Sequence, residues 1–276
     1  MAESNTLRPI YRLGDDLRPH EPIPRSHYLI IAAASTLSLL ALWAGLSYTG
    51  IVQPTYFLPT PGQVLATASR MLLDGTLAVN AWASIFVIVT GWAVATVMAV
   101  PLGILMGSFK FFEALFEPVV NFVRYLPVSA MIPLLILYIG LGVEEKVAVI
   151  FIGTFFQLIL LVADVAAHVP KDLLDSAYTL GASRRRVVTR VLIPATLPGV
   201  MDNLRITIGW AWTYLIVAEL VAADKGLGIM ILESQRGLRT DRIFVGLVTI
   251  GLLGFCSDYI FKMVHRVALP WSPRIR

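Results

Sequence analysis

Apolar residues in this chain run in uncharged blocks of helical length, separated by short polar or proline-rich breaks. The first block, residues 28–48, carries no charge over 21 positions. At about 1.5 Å per residue it reaches across the roughly 30 Å hydrocarbon core of a bilayer. A second block covers 81–107, with Pro101 and Gly103 near its end. The third, 111–142, is broken by Glu113, Glu117 and Arg124 and by prolines at 118, 127 and 133. It predicts a helix or bend on the cytoplasmic side followed by a short span over 129–141. The fourth block is 147–169 with Asp164 near its end, the fifth 203–223 with Arg205 and Glu219 towards its two ends, and the sixth 243–264 with Asp258 inside. Strands are excluded: open sheet edges are not tolerated in lipid, and these blocks are too long and uniformly apolar for barrel strands. The pattern predicts an all-α, polytopic membrane protein with six spans over residues 28–265.

Two stretches are neither tails nor spans. After the first block comes FLPTPGQ at 57–63, where a proline pre-set for a helix start predicts a short interfacial helix ending near Leu73. The second stretch, 170–198, has helical patterning on what the charges mark as the cytoplasmic face. Leu173, Leu174, Ala177 and Leu180 make one apolar stripe, and Val187, Val188, Val191 and Leu192 a second, beside Arg184, Arg185, Arg186 and Arg190. Gly181 suits a left-handed helix stop, Ser183 a cap for the next helix, and Pro194 an end to it. The expectation is two short amphipathic helices joined by a glycine elbow, lying on lipid, on the bundle itself or on a partner.

Composition narrows the class. Of 276 residues 57% are hydrophobic and 14% charged, with a mean hydropathy of +0.76. Soluble domains carry about 25% charged residues. A soluble enzyme, a disordered chain and a nucleic-acid module are all excluded on that ground. The net charge of +4 reflects lysines and arginines gathered in the two tails and the 170–198 loop, which places both termini inside. Residues 1–27 read as a flexible cytoplasmic tail, rich in proline and without an apolar core, and 266–276 as a second tail. The lone Cys256 permits no internal disulfide, and the four histidines have no metal-ligand spacing. No G-x-x-x-x-G-K-[ST] phosphate loop occurs. A membrane-embedded enzyme would need a nucleophile–base pair or a metal set, and an ion-coupled secondary transporter a repeated half; neither is visible.

Candidates for a translocation path are the intramembrane ionisable groups Arg124, Asp164, Arg205, Glu219 and Asp258, which are functional candidates by default. Arg124 and Glu219 lie near span ends, where gating or packing is the competing role. Met131, Tyr138 and Gln157 add polar or polarisable groups, and Trp82, Trp92, Trp210, Trp212 and Tyr214 an aromatic set. Gly103 and Gly107 form a G-x-x-x-G pair that favours close helix packing.

The loop also resembles the E-A-A-x3-G-x9-I-x-L-P pattern of the membrane subunits of ATP-binding-cassette importers. It stands here as Asp175-Ser176-Ala177, Gly181, and Val191-Leu192-Ile193-Pro194, at the full spacing. FLPTPGQ at 57–63, VPLGILMG at 100–107 and RYLPVSAMIPLLILYIGLG at 124–142 further resemble the permeases of aliphatic sulfonate, taurine and nitrate importers. The resemblance implies a six-helix, type I importer transmembrane domain in a bacterial inner membrane. It implies that Leu173, Asp175, Ala177, Leu180, Gly181, Arg184, Val191 and Pro194 couple to two cytoplasmic ATPase subunits, which bind ATP and magnesium that this chain does not. A second permease copy, as a homodimer, and a periplasmic or lipid-anchored solute-binding protein complete the implied assembly; no nucleic acid is involved. The solute it implies is a small oxyanion or sulfonate, with a heteroaromatic such as a thiamine-precursor pyrimidine as the alternative.

Overall fold

Glycine and alanine recur every fourth residue along the second apolar block, at Gly91, Ala95, Ala99, Gly103 and Gly107, and this small-residue stripe is the seam on which the helices are built. In the computed structural model, which describes residues 23–50, 57–222 and 224–271, the chain divides into two units, residues 1–61 and 62–276. The first unit contributes α1 (Arg25–Tyr48), whose Trp43 indole donates to the Pro59 carbonyl at 3.1 Å. Its start at Arg25 takes in the last residues of the predicted tail; residues 1–22 of that tail lie outside the described residues.

The second unit contains all but the first residue of α2 (Pro61–Leu73), at the place where a short helix ending near Leu73 is expected, then α3 (Thr76–Ser108), α4 (Lys110–Val123), α5 (Val128–Ile139) and α6 (Val143–Ala167). After these come α7 (Lys171–Thr179), α8 (Arg184–Val187), α9 (Ile193–Ala222), α10 (Leu227–Arg236) and α11 (Thr240–Ala268). The α2–α3 turn is capped by Asp74, whose carboxylate accepts the Thr76 amide N–H at 2.9 Å. That bond favours the ionised form and holds the carboxyl below the usual aspartate range.

Along the seam α3 and α6 run side by side in the same direction. A Cβ on Gly91 would lie 2.8 Å from the Val147 carbonyl oxygen, one on Gly103 2.7 Å from that of Ile159, and one on Gly107 2.1 Å from that of Ala163. Only glycine lets the two backbones approach this closely, as the G-x-x-x-G pair predicts. Because α3 and α6 are parallel, residues 109–142 must carry the chain back along the bundle. They do so as a bent pair, α4 and α5, at 94°. Among the described residues, five helices long and apolar enough to cross a membrane and this pair make up to six crossings. α9 returns antiparallel to α6: the Asn203 amide donates to the Leu161 carbonyl at 2.9 Å, and Gly199 faces Val165.

Three expectations are corrected. The fourth span begins at Val143, taking Glu144, Glu145 and Lys146 into the helix. The fifth begins at Ile193, ten residues before the predicted start at 203, and Pro194 does not end a helix. Helix α8 passes through a wide π turn, Val188–Leu192, directly into α9. A π turn skips one residue of the ladder, which accommodates a proline that has no N–H to donate. The third correction is α10, a helix between the fifth and sixth apolar blocks, where the hydrophobic pattern marks none.

Candidate functional site

The loop between α6 and α9 is held by local chemistry. Helix α7 closes in a two-bond left-handed stop: the Gly181 N–H donates to the Tyr178 carbonyl at 2.9 Å and the Ala182 N–H to the Ala177 carbonyl at 3.0 Å. Gly181 sits at φ +80°, where a Cβ is strained. Ser183 takes the cap position of α8, but its side chain makes no capping bond, contrary to expectation.

The apolar stripe of α7 divides. Leu174 packs on the core built from Leu158, Ile159, Val162 and Leu192, and Ala177 is partly buried. Leu173 is 45% exposed and Leu180 88% exposed, with Asp175 beside them and open. The second stripe turns inward: Val187 and Leu192 are buried, Val191 and Pro194 partly so. Arg184 lies over the Phe109 ring at 5.3 Å, fastening α8 to the α3–α4 junction. The eight residues assigned to coupling therefore fall into an open set, Leu173, Asp175, Leu180 and Gly181, and a set seated against the bundle, Ala177, Arg184, Val191 and Pro194.

At the opposite end of the bundle Glu219 is fully buried. Its carboxylate accepts from the Ser84 hydroxyl at 2.7 Å and from the Gly228 N–H at 2.6 Å. Ser84 in turn accepts the Leu227 N–H at 2.9 Å, and Asn80 the Gly226 N–H at 2.9 Å. Side chains from α3 and α9 thus satisfy the amides that the start of α10 leaves free. Glycines at 226 and 228 are required because a Cβ at either would meet the Glu219 side chain, at 2.3 and 2.8 Å. The Gly-Leu-Gly sequence after Asp224-Lys225 was the available signal for this clasp, but two of its partners, Asn80 and Ser84, lie more than 140 residues away. Glu219→Ala should cost about 3 kcal/mol, from two orphaned buried donors and a cavity. Glu219→Gln, which keeps one acceptor oxygen, should cost about 1 kcal/mol. Unfolding in detergent checks the pair, and faster exchange of the Gly228 amide locates the loss.

The other path candidates separate. At the α4–α5 elbow one cavity brings Arg124, Gln157 and Tyr214 together. Met131 and Tyr138 lie further along α5, Tyr138 80% exposed. Arg205 and Asp258 pair between α9 and α11, with the Lys262 ammonium 3.2 Å from the same carboxylate, so these charges form an interhelical clamp. Asp164 faces His168 at 3.4 Å on the surface. The tryptophans are dispersed rather than grouped: Trp92 donates to the Thr207 hydroxyl at 3.1 Å and meets Phe261 edge-on, Trp212 is buried beside Ser257, and Trp82 and Trp210 face outward.

Comparison with known proteins bears on the whole unit. The sequence profile described as "Binding-protein-dependent transport system inner membrane component" matches residues 99–268. A probable ABC transporter permease protein of Brucella abortus is 35% identical, over 84% of this chain and 91% of its own length. The taurine transport system permease protein of Escherichia coli is 28% identical over 92% and 94%. A putative aliphatic sulfonates transport permease protein of Bacillus subtilis is 28% identical over 84% of each. Among solved structures, a chain from inward-facing conformations of the MetNI methionine ABC transporter superposes with a TM-score of 0.56 at 20% identity. It covers 66% of this chain and 93% of its own, a likeness of fold.

Proposed function

The chain belongs to the binding-protein-dependent transport system inner membrane component family of ABC transporter permeases, and from that premise we propose that it is the translocating subunit of an ATP-driven importer of small oxyanions or sulfonates. The exposed apolar edge of α7 carries this reading. Leu180 and Leu173 are held out by the Gly181 stop while Leu174, Val187 and Leu192 pin the rest of the loop to the bundle. An apolar edge braced against the spans in this way is a handle: force on it passes through α8 and the π turn straight into α9.

In this reading the loop end faces the cytoplasm and both termini are inside. Two ATPase subunits, binding ATP and magnesium, grip the loops of two copies of the chain. ATPase closure then drags α9 and the helices packed on it, so that the path between the copies opens alternately to either side. A binding protein delivers the solute at the α10 end. By linkage, its loaded form must favour ATPase closure as much as closure favours its docking. The relatives from Escherichia coli and Bacillus subtilis are named for taurine and for aliphatic sulfonates, which supports the same solute class here.

Reconstitution tests it. Proteoliposomes holding this chain with its ATPase and binding protein should accumulate a radiolabelled sulfonate only when ATP is supplied on the loop side. Uptake by the chain alone under an ion gradient would overturn the reading.

A further inference from the structure

Residues 124–127 turn the chain between α4 and α5, and the turn leaves a cavity of about 410 Å³, within the range of small-ligand sites. It is walled by the elbow, by residues 149–157 in the middle of α6 and by residues 213–217 of α9. Its polar lining is Arg124, Tyr125, Ser129, Gln157, Thr213 and Tyr214, and no carboxylate lines it. Gly153 shapes it: a Cβ there would lie 2.7 Å from the Tyr214 ring, so glycine lets that ring approach the α6 backbone closely.

The charge in this cavity is unbalanced. Arg205 and Lys262 share Asp258, but among the described residues no carboxylate pairs with Arg124. One terminal nitrogen of its guanidinium donates to the Tyr125 hydroxyl at 2.9 Å, and the group lies over the Tyr125 ring at 4.7 Å. Its Nε is buried and has no acceptor. An enclosed N–H without an acceptor is unfavourable unless a ligand supplies one, while the rest of this guanidinium is partly open. The side of a guanidinium is matched in shape to two oxygens on one centre.

We propose that this cavity is an anion site in which a small monoanion, carrying two or more oxygens on one sulfur or nitrogen, docks on the Nε edge of Arg124. The Gln157 amide and the hydroxyls of Ser129, Thr213 and Tyr214 supply further donors. One uncompensated positive charge selects a monoanion. The proposal rests on the transport reading above and assigns its solute a place level with the middle of α6.

The test uses the full chain in lipid nanodiscs with triflate, a fluorinated sulfonate, observed by fluorine NMR. Wild-type protein should broaden the triflate line. Methanesulfonate should reverse the broadening, and dimethyl sulfone, its uncharged isostere, should not. Arg124→Gln should abolish the effect, and Arg124→Lys, which keeps the charge but loses the side-on donor, should weaken it about tenfold. Should Arg124→Gln fail to fold, Arg124→Lys and Tyr214→Phe carry the test, each binding more weakly at an unchanged unfolding midpoint. Wild-type affinity in these variants, or equal competition by dimethyl sulfone, overturns the site even where ATP-driven uptake persists. Arg124-dependent binding in a chain that transports without an ATPase would keep the site and overturn the transport reading.

Discussion

Leu180→Asp abolishes association with the ATPase and leaves the helix bundle folded. Leu180 is 88% exposed, so the change breaks no contact within the chain. On docking, leucine burial is worth about 2 kcal/mol. Forcing an aspartate into the same groove adds a desolvation penalty of several kcal/mol. A combined loss above about 4 kcal/mol weakens the complex about a thousandfold, enough to dissociate it at micromolar concentrations. Gly181→Pro gives the same result by another route: proline cannot adopt φ +80° and has no N–H for the Tyr178 carbonyl. Size-exclusion copurification with the ATPase, alongside the thermal unfolding of the permease alone, reads both effects. An intact complex with sulfonate-stimulated ATP hydrolysis in both variants would remove the loop from the coupling role.

Gly107→Val destroys the α3–α6 seam. The first added carbon falls 2.1 Å from the Ala163 carbonyl oxygen and 2.8 Å from the Ala166 Cβ. Both neighbours belong to a helix that is itself packed on α9, so neither can withdraw without opening a second interface. Overpacking ordinarily costs about 1–3 kcal/mol. Here the clash is with backbone, so Gly107→Ala should reach about 3 kcal/mol and valine more. Gly251→Ala is the control: nothing lies within 4 Å of its added carbon, and it should stay within about 0.5 kcal/mol of wild type. Detergent-solubilised Gly107→Val melting at the wild-type temperature would contradict the seam.

The helix-length blocks, the loop and its elbow were legible because each rests on local chemistry. A left-handed stop needs glycine wherever it occurs, and Gly181 announces itself. The i, i+4 spacing of Gly103 and Gly107 likewise announces close packing. The continuous run from α8 into α9 was not legible, because a proline ends most helices and only the π turn beside Pro194 makes room. Helix α10 was not legible because its starting amides are satisfied by Asn80, Ser84 and Glu219 rather than by a cap of its own. The path residues stood as a list of ionisable and polar groups along the chain. Nothing in their spacing joins Arg124 to Gln157 and Tyr214, or pairs Arg205 with Asp258.

The sequence alone determined that this chain lives in a bilayer as a set of helices with a structured loop, because hydrophobic length and glycine geometry act over a few residues. Tertiary structure alone decided which leucines of that loop stay exposed and which charges are neutralised. It also decided that Arg124 faces a cavity without a carboxylate. Burial and pairing are properties of neighbours brought together from distant positions, and the chain order does not carry them.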